Sequence, residues 1–235
     1  MRLVTGPGRV HEPLDNIWSS TGVCDYLEGC YEEGWGAGNF TAPMRSVYAK
    51  EAYTGEIDTS ILHTRSVLFV KGVNGASEYW IVTDWLTGTG DHEYEQLWHF
   101  IPVETVLDTA TSIVRTVTEG QPNLALIPAV TAQVEAQVVE GRDDGEKRQG
   151  WYCTGSSPVP APCAVYQQRR TPPALFQTVV WPQRAGDEAV PTVESIDDKG
   201  GVRVSLPDGR EDIYCAPLTA GEFHLGDAVF DGRAA

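Results

Sequence analysis

The sequence predicts an all-β fold, an antiparallel β-sandwich. Three observations carry that prediction. Short runs rich in Val, Ile, Thr and aromatic residues recur along the chain, among them SVLFV (66–70), YWIVTDW (79–85) and LFQTVVWP (175–182). Clusters of Gly, Pro, Asn and Asp separate them at short, fairly regular spacing, and the chain holds 24 Gly and 15 Pro. No apolar period of 3.6 residues is sustained for long. Ordinary strand lengths give about 12 to 14 strands. No composition break marks a linker and no repeat is visible, so residues 1–235 read as one sandwich domain.

The elements follow in chain order. Residues 1–16 contain TGPGR and HEP and read as loop, with His11 on its surface. The stretch 18–38 carries Tyr26, Tyr31 and Trp35, which suit either a strand core or the lining of a sugar cleft. NFT at Asn39 matches the glycosylation acceptor pattern, and SVYAKEAY (46–53) fits a strand.

The centre of the chain is 63–102. Runs at 66–70, 78–85 and 92–100 are separated by GVNGAS and LTGTGD, which carry the residues of tight reversals, so the three strands form an antiparallel meander. His63, Arg65, Asp84, His92, His99, Trp80, Trp85 and Trp98 crowd here. Strand alternation puts His92, Tyr94, Gln96, Trp98 and Phe100 on one face and Glu93, Glu95, Leu97 and His99 on the other. One reading makes the first face a saccharide platform, with Arg65, His92, Tyr94 and Trp98 as substrate contacts. The other turns Trp98 and Phe100 into the core and leaves His92 at a turn.

Two short β-branched strands fill 103–120, and 124–130 and 133–141 follow as strands. RDDGEKRQG (142–150) reads as a charged, exposed turn whose charges solvate it. Residues 150–173 are the most loop-like, a Pro-rich connector or docking loop, although AVYQQRR within it could be a strand ending in Arg169 and Arg170. A strand at 175–182 and a strand–turn–strand series from 192 to 217, with a hairpin signal at Asp208-Gly209, lead to the end of the chain.

The order of several of these runs carries a resemblance. HTRSVLFVK (63–71), YWIVTD (79–84) and HEYEQLWHFIP (92–102), then GWYCTGSSPVPAP (150–162) and LFQTVVWP (175–182), resemble the carboxy-terminal β domain of the heparinase II/III-like polysaccharide lyases. WSSTGVCDYLEGCYEEGW (18–35) is similar to the segment that leads into it. The resemblance implies a layered antiparallel β-sandwich, preceded in the family by a helical toroid, and cleavage of uronate-containing polysaccharides by β-elimination. It implies a divalent metal such as zinc in the full-length family, held by residues from runs like H-x-x-L-D-x-G-x-F and A-H-N-T. Neither run occurs in this sequence, and there is no long helical region. No catalytic position is therefore carried over, and the expectation is a fragment that starts after those motifs, its partner the missing amino-terminal helical domain.

Composition bounds the rest. The formal charge of −16 argues against nucleic-acid binding, which wants a basic face. It also sits awkwardly with a polyanionic substrate, unless Arg65 with Lys71, or Arg169 with Arg170, supplies a local basic patch. No apolar run is long enough to span a bilayer, and no signal peptide is visible, so export is left open, with a periplasmic or secreted full-length protein as one outcome. Of five cysteines, Cys24 with Cys30 or Cys153 with Cys163 could close a short loop, or all could be reduced thiols.

Three functions remain. The first is a lyase β domain, inactive alone, that lines one wall of the substrate cleft. The second is a non-catalytic carbohydrate-binding module. The third is a metal enzyme centred on His63, Asp84 and His99, residues of the right type but without local ligand spacing. On any reading that puts chemistry in this chain, His63 and His99 are the candidate catalytic residues.

Overall fold

The computed structural model describes residues 16–32, 34–35, 58–129, 133–144, 147–154, 157–196 and 199–218, with the backbone alone of 74, 221–225 and 228–232. Twenty strands and no α-helix make up this part. In chain order the first ten are β1 (Ile17–Ser20), β2 (Cys24–Tyr31), β3 (Ile61–Val70), β4 (Tyr79–Gly88), β5 (His92–His99), β6 (Thr105–Asp108), β7 (Ile113–Thr116), β8 (Asn123–Pro128), β9 (Glu135–Glu140) and β10 (Arg142–Asp143). The other ten are β11 (Arg148–Gln149), β12 (Trp151–Thr154), β13 (Ser157–Pro160), β14 (Pro162–Arg170), β15 (Ala174–Gln183), β16 (Thr192–Ser195), β17 (Gly201–Ser205), β18 (Glu211–Cys215), β19 (Gly221–Leu225) and β20 (Ala228–Gly232). No helix of the described residues is long and apolar enough to cross a membrane.

The architecture is three antiparallel layers. The middle one is an eight-stranded sheet in the order β1-β2-β3-β4-β15-β8-β7-β6. Sheet β16-β17-β18 covers one face and sheet β5-β14-β9 the other. The pleat of β4 and β15 divides the core accordingly. Tyr79, Ile81, Val179 and Trp181 pack with Val202, Val204 and Tyr214 on the first side. Leu86, Ala174 and Phe176 pack with Tyr94, Ala164 and Tyr166 on the second. A sheet buried on both faces accounts for the nearly continuous apolar and aromatic runs of β4 and β15.

The expected meander is half realised. β3 and β4 pair from Ile61↔Gly88 to Val70↔Tyr79. β5 does not continue the sheet but crosses to another layer, where it is an edge strand beside β14. The free edge of β4 is taken instead by β15, with Leu175 opposite Trp85 and Val179 opposite Ile81. An apolar strand suits the doubly covered position, whereas Glu93, Glu95 and His99 on one face of β5 suit an outer layer with a solvent side.

The strand count exceeds expectation because segments read as loops are hairpins. Residues 142–143 pair with 148–149 as β10–β11, and the Pro-rich run supplies β12–β13 and leads into β14, the middle strand of its sheet. Pro158 and Pro160 fit because β13 pairs on one side only, and Pro162 opens β14. These hairpins fold over the outer face of β14, which leaves Cys163 and Val165 buried.

None of the five cysteines is in a disulfide. Cys24 and Cys30 lie on the same extended strand, about 20 Å apart at 3.3 Å per residue, too far to bridge. The strand expected at 46–53, the loop with His11 and the acceptor pattern at Asn39 lie outside the described residues.

Candidate functional site

Register builds the site. On β3, His63 and Arg65 face the layer containing β5, and Arg65 lies directly opposite Asp84 of β4. The side chain of Asp84 is 3 % exposed. Its Oδ1 accepts from His63 Nε2 at 2.6 Å and from Arg65 Nε at 2.6 Å. Its Oδ2 accepts from Arg65 Nη2 at 2.8 Å and from Gln96 Nε2 of β5 at 2.7 Å. Gln96 Oε1 in turn accepts from Trp98 Nε1 at 3.0 Å and from the Thr178 hydroxyl at 2.8 Å. A polar chain thus ties β3, β4, β5 and β15 across two layers.

Burial alone would raise the Asp84 carboxyl, but the hydrogen bonds from His63 and Arg65, and their charges, outweigh it and lower its pKa to about 2. In the unfolded chain the ordinary value is 3.8. The group therefore stabilises the fold fully above pH 4 and loses that contribution as pH falls towards 2. A shift of this size corresponds to about 2 kcal/mol. Between pH 4 and pH 2, the unfolding free energy of the wild type is expected to converge on that of Asp84→Asn, measured by urea titration. A gap that stays constant would refute the assignment.

Because Asp84 only accepts, His63 carries a proton on Nε2, and its Nδ1 has no hydrogen-bond partner among the described residues. Arg65 keeps its outer N–H groups clear of protein partners there, its side chain 49 % exposed. Both line a cleft of about 550 Å³ that runs around the edge strand β5. Tyr31 and Trp35 form an aromatic wall, edge to face at 5.3 Å, and Trp35 is anchored by its indole N–H to the Ile61 carbonyl. Lys147 and Gln149 enter from the β10–β11 hairpin and bind Glu95, and Lys147 also reaches Glu93 at 3.2 Å.

The expected site residues divide. His63, Arg65, Asp84, Tyr94 and His99 all line the cleft. His92 does not: it sits at the β4–β5 turn and donates from Nε2 to the Thr89 carbonyl at 2.9 Å. Trp98 does not either, since its ring packs in the core between layers. Lys71 pairs with Asp25 at the opposite end of β3, and Arg169 with Asp91, so neither expected basic patch forms as imagined. His63 and Asp84 meet, but His99 does not join them in a ligand set, and no group of three His, Cys, Asp or Glu able to hold a metal is present among the described residues. Both Asp84 oxygens are occupied by a guanidinium, an imidazole and an amide, so this donor set does not fit the metal centre expected at His63, Asp84 and His99. Lys147, Arg148 and Gln149 were taken for a solvated turn. Lys147 and Gln149 bind partners more than fifty residues away, which no local pattern signals, whereas Arg148 pairs locally with Asp143 and lies over the Trp151 ring.

The Tyr94 hydroxyl is shielded from solvent with no hydrogen-bond partner among the described residues. Removing it by Tyr94→Phe is expected to leave stability unchanged or raise it, because no described residue loses a bond. A thermal melt showing a loss above about 1 kcal/mol would reveal a partner.

No protein-family model matches the chain, and no curated protein matches it in sequence. Its structure is similar to heparan sulfate lyase HepC from Pedobacter heparinus, with a TM-score of 0.59 and 16% identity over 88% of this chain and 28% of that one. It is similar to a heparinase III structure as well, with a TM-score of 0.57 and 14% identity over 85% of this chain and 26% of the other. The chain spans about a quarter of the length of these structures. At such identities the likeness is one of fold, and the fold is that of the heparinase III β domain.

Proposed function

We propose that this chain acts as the β domain of a polysaccharide lyase that cleaves uronate-containing polysaccharide by β-elimination, and that it is inactive alone. The observation that carries this reading is that nearly all of the chain follows one fold found within structures about three times its length, a heparan sulfate lyase and a heparinase III. β-Elimination needs a base for the proton beside the carboxyl, a group that neutralises the carboxylate, and an acid for the leaving oxygen. The cleft supplies a cationic edge in Arg65 and an imidazole in His63, which is part of that set. A preceding helical domain would furnish the rest.

The test is a lyase assay on folded 235-residue protein with a panel of uronate polysaccharides, read at the ultraviolet absorbance of the unsaturated product. A flat trace, with activity gained in a longer chain that adds a helical domain upstream, is the expected result. Turnover by the chain alone would overturn its inactivity and make His63 and His99 the first residues to substitute.

A further inference from the structure

A second groove lies on the opposite face of the middle sheet from the cleft. Its volume of about 400 Å³ is within the range of binding sites. Leu68 and Val70 of β3 and Tyr79 and Ile81 of β4 form its floor. Its wall is the run 210–214, which includes four successive residues of β18. Successive strand residues point to opposite faces. A groove lined by both sets therefore runs along the backbone edge of the strand and not over either face. No residue of β17 lines it, and β18 pairs with β17 alone among the described residues, so this is the open edge. Of the ten large hydrophobic side chains exposed among the described residues, three stand in this one groove: Val23, Val73 and Ile213. Apolar groups gathered along an open strand edge mark a surface made for another chain.

We infer that this groove docks an extended peptide of another protein, added to β18 as a further strand. The open edge supplies main-chain hydrogen bonds, and the floor takes every second side chain. β18 has five residues, about 16 Å at 3.3 Å each, which sets the length of the segment. Charge selects the occupant. Inside the groove the charges cancel: Lys71 binds Asp25, and Arg210 binds Asp212, which also accepts from the Tyr79 hydroxyl. The inward positions of the peptide are therefore apolar. At the rim the Glu211 side chain is 53 % exposed, and its cation Arg203, at 3.4 Å, is shared with Glu194. The outward position beside Glu211 suits Lys or Arg. A formal charge of −16 favours the same sign of partner and disfavours a second copy of this chain. The occupant is a strand of alternating apolar residues whose outward positions are basic.

The experiment is a titration of the 235-residue protein with the synthetic peptide acetyl-KVTVKVT-amide, followed by 1H–15N chemical shifts. Shifts are expected at 68–73 and 210–214. The shuffled acetyl-VVVKKTT-amide, which loses the alternation, should bind at least about tenfold more weakly, and so should acetyl-EVTVEVT-amide. Glu211→Lys should reverse the preference between the basic and acidic peptides. N-methylation of the three valines, or of the residues between them, should abolish binding for one set and spare it for the other, because only one set turns its N–H groups toward β18. Val73→Asp, on the exposed wall, should weaken binding about tenfold. Val106→Asp, similarly exposed on the distant edge strand β6, should leave it unchanged. No shift at about 1 mM peptide, equal binding of the shuffled peptide, or the same response to both N-methylated sets would each overturn the inference. Self-association of the protein through 210–214 in the absence of peptide would overturn it in favour of a second copy. The groove and the cleft lie on opposite faces of the sheet, so this titration and the lyase assay succeed or fail independently.

Discussion

Replacing Asp84 by alanine is expected to lower the melting temperature by roughly 6–12 °C, from a loss of about 3 kcal/mol at 2–4 °C per kcal/mol for a chain of this size. Removing one partner of a buried ion pair strands the others. Gln96 and the indole-linked chain behind it lose their terminal acceptor inside the protein, and His63 loses the carboxylate that fixes its tautomer. The loss falls at the lower end of the usual range because Arg65, half exposed, can turn its guanidinium to water. Asp84→Asn should be nearly as harmful, since its amide N–H₂ would confront either the guanidinium or the Gln96 amide. Differential scanning calorimetry decides: a melting temperature within about 2 °C of wild type would mean that the polar chain contributes nothing to the packing of the two layers.

The second large effect is expected from Gly88→Ala, at about 3 kcal/mol. Gly88 closes β4 at φ +132°, a conformation that side chains rarely adopt. A Cβ there would stand 1.9 Å from the Ser60 carbonyl oxygen, at the point where β3 begins opposite it. Something must move, and the neighbour is backbone: the same Ser60 carbonyl accepts from the Thr89 N–H, and Ile61 next to it accepts from Trp35. The damage should therefore spread to the aromatic wall of the cleft and show as a change in near-ultraviolet circular dichroism along with the lower melting temperature. A variant with wild-type stability and an unchanged aromatic signal would show that the β3–β4 end is soft.

The alternation of β5 was legible in the sequence, and so was the company of Tyr94, Gln96 and Trp98 on one face. Which way that face turned was not, because alternation does not say what lies opposite. In the structure it faces inward, so Trp98 serves the core while Tyr94 lines a cleft that wraps around the strand edge. His63, Arg65 and Asp84 were visible as a group, but their joint role needed the register of β3 on β4, which places Arg65 opposite Asp84. Residues 150–173 were misread because proline is a strong loop signal. It loses that force on a one-sided strand such as β13 and at the first position of β14. Lys147 and Gln149 were hidden for the opposite reason: nothing nearby in the chain is related to what they bind.

The place of β15 in the middle sheet sets an order of assembly. On one side it pairs with β4, complete at residue 88, and on the other with β8, complete at residue 128, yet β15 itself begins at residue 174. During synthesis the two halves of the sheet wait for the strand that joins them, for roughly 4–17 s after β4 at ordinary elongation rates. In that interval the open edge of β4, with its apolar neighbours, is available to any other unpaired strand. β15 is the keystone of the fold: a nascent chain stopped before it holds two unjoined half-sheets rather than a smaller copy of the protein.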